Sequence, residues 1–214
     1  MADKRGPKVL KVRPGVGGGT SRSIQRRLAD ARFATRYFVG RGLDIGGGSD
    51  PLALYFELFP RMTDIDIWDR EQGDGQTLDG VADESYDFLY SSHCLEHLVD
   101  PLDALRNWLR VVRPGGHLVV VVPDEDLYEQ GYWPSRFNPD HKHSFTTYKP
   151  DSWSPVSINL LETLTKLGPG AQILSVATID AGYRHKLTGI DQTLTPVAES
   201  SIEFILRKQA AAAE

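Results

Sequence analysis

The segment Gly42-Leu-Asp-Ile-Gly-Gly-Gly-Ser-Asp-Pro51 constrains this chain more than any other. A short apolar run enters consecutive glycines and then a helix start. Glycines at such a corner let the backbone approach a ligand closely, because no Cβ intervenes. Ser49 or Asp50 suits the N-cap and Pro51 the first helical position. A strand, a glycine turn and a helix in this order form the ligand corner of an alternating α/β sheet, so the rest of the chain must supply its neighbours.

The chain supplies them in alternation. Strands are expected at Gly42 to Ile45, Met62 to Ile67, Tyr86 to Tyr90, Leu118 to Val122, Gln172 to Ile179 and Ser201 to Arg207. Helices are expected at Ser23 to Phe38, Pro51 to Leu58, Pro101 to Val112 and Asp151 to Leu167, with Arg113-Pro-Gly-Gly116 as a stop and turn. This order implies a mainly parallel, doubly wound, Rossmann-like sheet with helices on both faces. The chain of 214 residues suffices for one domain. We divide it into a basic, Gly-rich arm over residues 1–21 and a single domain over 22–214. Residues 123–147 form a lid-like insertion, since connections this long are often binding loops.

Composition excludes several classes. The single cysteine, Cys94, rules out an intrachain disulfide and any multi-cysteine metal site. No signal peptide is evident, and Leu118 to Val122 is too short to span a bilayer. We therefore expect a soluble, cytoplasmic protein without a membrane partner. The residues before Gly42 are basic, but no aromatic residues interleave the early ones and the net charge is −5. A solvated tail is favoured over a nucleic-acid arm. Gly17-Gly-Gly-Thr20 lacks the lysine of a phosphate loop and a strand before it, so it reads as a linker.

Dinucleotides and S-adenosylmethionine both use a glycine corner. The dinucleotide pattern places glycine where this chain has Pro51, and it seats a pyrophosphate on the helix N-terminus, where Asp50 would repel it. A sulfonium cofactor carries no phosphate and tolerates acids. A ribose needs a carboxylate at the end of the second strand, because a carboxylate accepts from both hydroxyls. Asp66, beside Ile67, lies about twenty residues beyond Gly46 and is the first choice. Asp64 and Asp69 are rivals, and depth along the strand decides among them. Asp74, in Gly73-Asp-Gly75, is placed to meet the adenine amino group or to form a tight turn.

The ordered set Asp44-Ile-Gly-Gly-Gly48, Ser85-Tyr-Asp-Phe-Leu-Tyr-Ser-Ser-His-Cys-Leu-Glu-His-Leu98, Asp100-Pro101 and Arg110-Val-Val-Arg-Pro-Gly-Gly-His-Leu118 resembles class I S-adenosylmethionine-dependent methyltransferases of the methyltransferase-11 type. The resemblance covers Gly42 to Pro123, with a weaker match at Ile202-Glu-Phe204. It implies a sheet of seven strands with the last antiparallel, and S-adenosylmethionine as cofactor. It further implies that Asp44, Gly46, Gly47 and Gly48 line the methionine and ribose side, with Asp66 and Ile67 at the ribose. Asp74 and Gly75 frame adenine, and Ser91, Ser92 and His93 close the site. Asp50 departs from the pattern, since many members carry a third glycine there.

Methyl transfer needs mainly positioning and desolvation of the acceptor, with a base if the acceptor is a hydroxyl. His93, after the third of these strands, and His141 and His143, in the long insertion, are the candidate catalytic bases. Glu96 and His97 are expected to pack or cap, and His117 and His185 to lie in turns or on the surface. Asp140-His-Lys-His143 has the residue types for a divalent ion but no evident further ligand, so no metal is expected. Asp124-Glu-Asp126 reads as a loop or helix start. Cys94 reads as a buried thiol. Tyr128, Tyr132, Trp133, Phe137 and Arg136 would suit a sugar or could pack beneath the lid. The expected function is methyl transfer to a small-molecule acceptor, a hydroxyl of a sugar or natural product. The alternatives are N-methylation, a non-catalytic adenosyl-ligand-binding partner protein, and a nicotinamide oxidoreductase.

Overall fold

The computed structural model describes residues 18–210. The first 17 residues of the expected arm lie outside the described ones, whereas residues 18–21 enter a helix. In chain order the regular elements are α1 (Gly19–Ala29), β1 (Gly40–Ile45), β2 (Met62–Trp68), β3 (Tyr86–Ser92), α2 (Pro101–Val111), β4 (Val112–Pro123), β5 (Ser144–Thr146), β6 (Ser157–Asn159), α3 (Leu160–Thr165), β7 (Ala171–Ile179) and β8 (Ser201–Lys208).

Six strands form the main sheet in the order β2-β1-β3-β4-β8-β7. The pairs β1–β2, β1–β3 and β3–β4 are parallel. Strand β8 runs antiparallel to both β4 and β7, so it alone is reversed. This is a Rossmann-like sheet with its last strand antiparallel, but of six strands rather than the seven expected. The segment between Trp68 and Tyr86 is folded into turns and is too short for a helical crossover plus a strand, so β2 is the edge.

Strand alternation sets the two faces. In β3, Phe88 and Tyr90 face a cluster with Phe38, Phe59 and Val119, while Leu89 faces Leu43, Leu118 and Trp108. Helix α2 starts cleanly because Asp100 accepts the N–H groups of Leu102 and Asp103, and Pro101 occupies the first helical position. It buries Ala104, Leu105, Trp108 and Leu109 on one stripe against the sheet. Helix α1 docks through charge: fully buried Arg27 pairs with Glu203 of β8 at 2.8 Å, and Arg26 pairs with Glu199 at 3.0 Å. The Arg27 guanidinium also lies 5.0 Å from the Tyr90 ring, where the face of the ring attracts a cation.

Four elements differ from expectation. The helix over Ser23 to Phe38 ends at Ala29, and a separate turn covers Phe33–Tyr37. The segment after Pro51 forms tight three-residue turns rather than a regular helix, with Tyr55 off helical geometry. The helix expected over Asp151 to Leu167 is confined to Leu160–Thr165, because the Asn159 side chain caps Glu162 N–H and the residues just before it pair as β6. Finally, Arg113-Pro-Gly-Gly116 does not separate α2 from β4. Pairing passes from Tyr86–Val112 to Phe88–His117, so this run is a bulge within β4.

Candidate active site

The carboxyl ends of β1, β2 and β3 enclose a cavity of about 390 Å³, the size of a small-molecule site. It is lined by Gly46, Gly48, Trp68 and Asp69, by Asp74 and Gly75, and by His93, His97, Asp140 and Lys142. A smaller cavity of about 190 Å³ adjoins it across Gly46 and Gly48 and is lined by Gly18, Gly19, Asp44 and Ser92.

The glycine corner is built by close approach. Gly46 has φ +74°, and a Cβ there would lie 2.6 Å from the Cys94 Cβ. A Cβ on Gly19 would lie 2.6 Å from the Ser92 hydroxyl, so the start of α1 also presses on the site. Gly18 and Gly19 thus belong to the cavity wall rather than to a linker; the unbroken glycine run was the signal for this. Asp44 is buried. Its Oδ2 accepts the Leu52 N–H at 2.6 Å, while its Oδ1 has no partner. Burial lifts this carboxyl to about 7. An orphaned carboxylate oxygen in a glycine cradle fits the cationic amino-acid end of S-adenosylmethionine and opposes a diphosphate.

Depth along β2 separates the acids of the second strand. Asp66 pairs in register with Leu43, and its side chain meets the Arg41 guanidinium at 2.5 Å and the Tyr86 hydroxyl at 3.1 Å. Asp69 follows the end of the strand, where Ile45 pairs with Trp68, and stands beside the glycines. Three residues of strand place Asp66 roughly 10 Å short of that edge. Asp69 Oδ2 accepts the Gly48 N–H at 3.1 Å and Oδ1 the Arg70 N–H at 2.8 Å. Asp66 and Ile67 do not line either cavity, and neither does Ser91, whose buried hydroxyl donates to the Ile45 carbonyl at 3.0 Å and ties β3 to β1. Asp74 and Gly75 do line the larger one. Asp74 accepts the Gln76 N–H at 2.8 Å, and the Gly75 carbonyl accepts the Trp108 indole N–H at 2.7 Å, which anchors this loop to α2.

The three candidate bases fall in different surroundings. His93 lines the larger cavity with backbone φ +56°, and both its ring nitrogens meet hydroxyls, Ser92 at 2.9 Å and Ser201 at 3.1 Å. Burial pushes its pKa down to about 3, so it is neutral near pH 7. His143 turns away and its Nε2 meets the Leu98 and Val99 carbonyls at 3.1 and 3.2 Å. His141 is buried one layer behind the wall, with Nδ1 2.8 Å from the Glu129 carboxylate and Tyr128 against its ring. In front of it stands His97, which reaches the cavity and is 5.0 Å from His141 between ring centres. Glu96, His97 and Lys142 were not singled out as site residues from sequence, and Asp69 was there only a rival to Asp66. A Glu-His pair just after β3 and a His-x-His after β4, both at carboxyl ends of strands, were the available signals.

Of the insertion's aromatic residues, Tyr128 and Phe137 pack edge to face beneath it, with centroids 5.7 Å apart. Tyr132 is exposed, and Arg136 stacks over its ring at 3.9 Å. Glu125 is fully buried and held by Lys149 at 2.7 Å and Ser152 at 2.8 Å, so it is structural.

A doubly wound sheet with a reversed last strand, a glycine cradle at its crossover and acids in place of phosphate-binding groups defines an adenosyl-sulfonium-binding domain. The sequence profile of the methyltransferase-domain family matches residues 20–154. The chain belongs to that family and is an S-adenosylmethionine-dependent methyltransferase. No curated protein sequence matches it significantly. Among solved structures it is similar to a chain of the Haloferax volcanii complex between a methyltransferase activator and a candidate methyltransferase, with 14% identity, TM-score 0.58, and 89% of this chain and 91% of that chain covered. A Bacillus halodurans candidate methyltransferase gives 13% identity and TM-score 0.57, with 88% of this chain and 100% of that one covered. A Thermotoga maritima S-adenosylmethionine-dependent methyltransferase gives 18% and 0.55, with 88% and 90% covered. At these identities the likeness speaks for the fold. Among the described residues no helix is long and apolar enough to cross a membrane.

Proposed function

We propose that the protein transfers a methyl group to a hydroxyl of a small molecule, a sugar or a natural product. The observation that carries this reading is a cavity at the glycine corner that is lined by Gly46 and Gly48 together with His93 and His97. Bound S-adenosylmethionine supplies the activated methyl. Asp44 and the glycines Gly46 to Gly48 would hold its amino-acid end, Asp69 the ribose, and Asp74, Gly75 and Trp68 the adenine. The ribose role passes from Asp66 to Asp69 because only Asp69 reaches the carboxyl edge.

The acceptor would sit against His93, His97, Asp140 and Lys142. His93 presents a neutral ring that does not repel a cationic sulfonium, and it would exchange its Ser92 or Ser201 hydroxyl for the acceptor. His141 acts through His97 rather than by touching the acceptor, and His143 braces the loop.

Calorimetric titration with S-adenosylhomocysteine against NADH tests the cofactor end. Tight binding of the first and none of the second is expected. Turnover is then followed over hydroxylated and amine acceptors. Methylation of amines alone would overturn the hydroxyl assignment.

A further inference from the structure

We propose that Glu96, His97 and His141 form a binding site for one divalent first-row transition ion at the acceptor wall of the cavity.

The case starts from Glu96. It lies in the turn after β3, is fully buried, and neither of its carboxylate oxygens has a hydrogen-bond partner. A buried carboxylate without donors is costly unless something cationic completes it. The backbone holds it in place: its carbonyl accepts the Lys142 N–H at 2.9 Å and the His143 N–H at 3.3 Å, which clamps the His141 segment onto the turn.

Two imidazoles face that carboxylate. His141 Nε2 is 3.9 Å and His97 Nε2 4.0 Å from Glu96 Oε1, and the three ligand atoms lie within 4.8 Å of one another. The other nitrogen of each ring fixes its tautomer. His141 Nδ1 meets the Glu129 carboxylate at 2.8 Å. His97 Nδ1 meets the Asp140 carbonyl at 3.2 Å and the Asp140 carboxylate at 3.1 Å. Those partners only accept, so both Nδ1 atoms carry the proton and both Nε2 atoms present lone pairs. With Glu96 ionised, three lone pairs therefore converge with no donor among them. A shared proton would draw nitrogen and oxygen to about 2.8 Å, which is not the spacing seen. An ion with bonds of about 2.1 Å spaces its ligands by about 3.0 to 3.5 Å, so the two imidazoles must each close on Glu96 by roughly half an ångström or more, and on each other from within 4.8 Å, to complete the site.

Two imidazoles and one carboxylate suit zinc, iron or their neighbours better than magnesium or calcium. Carboxylates that orient ligating histidines through the second nitrogen are a recurring feature of such sites, and Glu129 and Asp140 take that part here. His141 and Glu96 are buried while His97 borders the cavity, so the site lies at the cavity's margin. Its use there, to orient an acceptor oxygen, rests on the hydroxyl reading above; the ion site itself does not.

The test uses the full chain, stripped with a chelator and titrated with Co²⁺ by visible absorption and with Zn²⁺ by calorimetry. One ion per chain is expected, with d–d bands that vanish on adding Zn²⁺. His97→Ala and Glu96→Gln should each weaken Zn²⁺ binding at least about 100-fold, and Glu129→Gln about 10- to 100-fold. S-adenosylhomocysteine affinity, within threefold of wild type, verifies that each variant is folded; His97 is partly exposed and serves if Glu96→Gln does not fold. Failure of the wild-type chain to bind a stoichiometric ion overturns the proposal, as does undiminished binding by folded His97→Ala. Because no acceptor enters this titration, a missing ion leaves methyl transfer to a hydroxyl standing. A bound ion with methylation of amines alone would refute only the hydroxyl reading.

Discussion

Replacing Asp69 by alanine should weaken S-adenosylhomocysteine binding about 100-fold. Each carboxylate oxygen of Asp69 already accepts one backbone N–H, from Gly48 at 3.1 Å and Arg70 at 2.8 Å, and each keeps a lone pair for a ribose hydroxyl. Hydrogen bonds to a charged acceptor contribute about 1.5 to 3 kcal/mol apiece. The side chain is partly exposed, so water competes, and the low end applies: about 3 kcal/mol for the pair, or roughly 100-fold in affinity. Asp69→Asn keeps one acceptor and should fall between. Asp66→Ala supplies the contrast. It removes a half-exposed ion pair with Arg41 and the acceptor of the Tyr86 hydroxyl, together worth about 1 to 2 kcal/mol of stability, and should leave affinity within about threefold. Calorimetric titration of the three variants, with urea unfolding as the stability control, measures all of this. A 100-fold loss in Asp66→Ala with wild-type affinity in Asp69→Ala would refute the argument from strand depth.

Three further outcomes are expected. Trp108→Phe removes the donor to the Gly75 carbonyl and part of a fully buried ring, so urea unfolding should show a loss of about 2 kcal/mol and calorimetry a several-fold weaker adenosyl ligand. Arg27→Met removes one of the two guanidinium partners of Glu203 in the buried contact between α1 and β8 and should cost about 2 kcal/mol in the same denaturation experiment, while Arg26→Met, Arg27→Met, which removes both, should cost more; equal losses would refute the pairing argument. His117 is buried edge-on to Tyr37, 5.3 Å between centroids, with Arg36 and Arg207 nearby, and burial lowers its pKa to about 4. The folded ring stays neutral while the unfolded one gains a proton below about 6.5. Its contribution is therefore complete above pH 6.5 and is lost as pH falls toward 4, by up to about 3 kcal/mol. His117→Phe should flatten the stability profile in that window, and an unchanged profile would show that other groups set it.

Much of the frame is legible from local spacing. The glycine corner after β1, the Asp100-Pro101 start of α2 and the alternating apolar strands each declare themselves within a few residues, because capping and strand alternation are short-range effects. Asp44, Gly46, Gly48, Asp74, Gly75 and His93 all line the paired cavities. What misleads is depth and distance. The helix expected over Asp151 to Leu167 shrank to Leu160–Thr165 because pairing of Ser157–Asn159 with β5 competes for the same residues, and that partner lies elsewhere in the chain.

The sequence by itself determined an α/β fold with a glycine crossover and an excess of acid around it, which is enough to separate a sulfonium cofactor from a diphosphate. Only the tertiary structure decided which acid stands at the strand's edge and which histidine reaches the cavity. The parallel register of β1 on β2 sets Asp69 beside Gly48 and leaves Asp66 to Arg41. Two backbone N–H groups on the Glu96 carbonyl bring His141 to a carboxylate distant in sequence. Both outcomes depend on hydrogen bonds between remote segments, and no window of neighbouring residues contains that information.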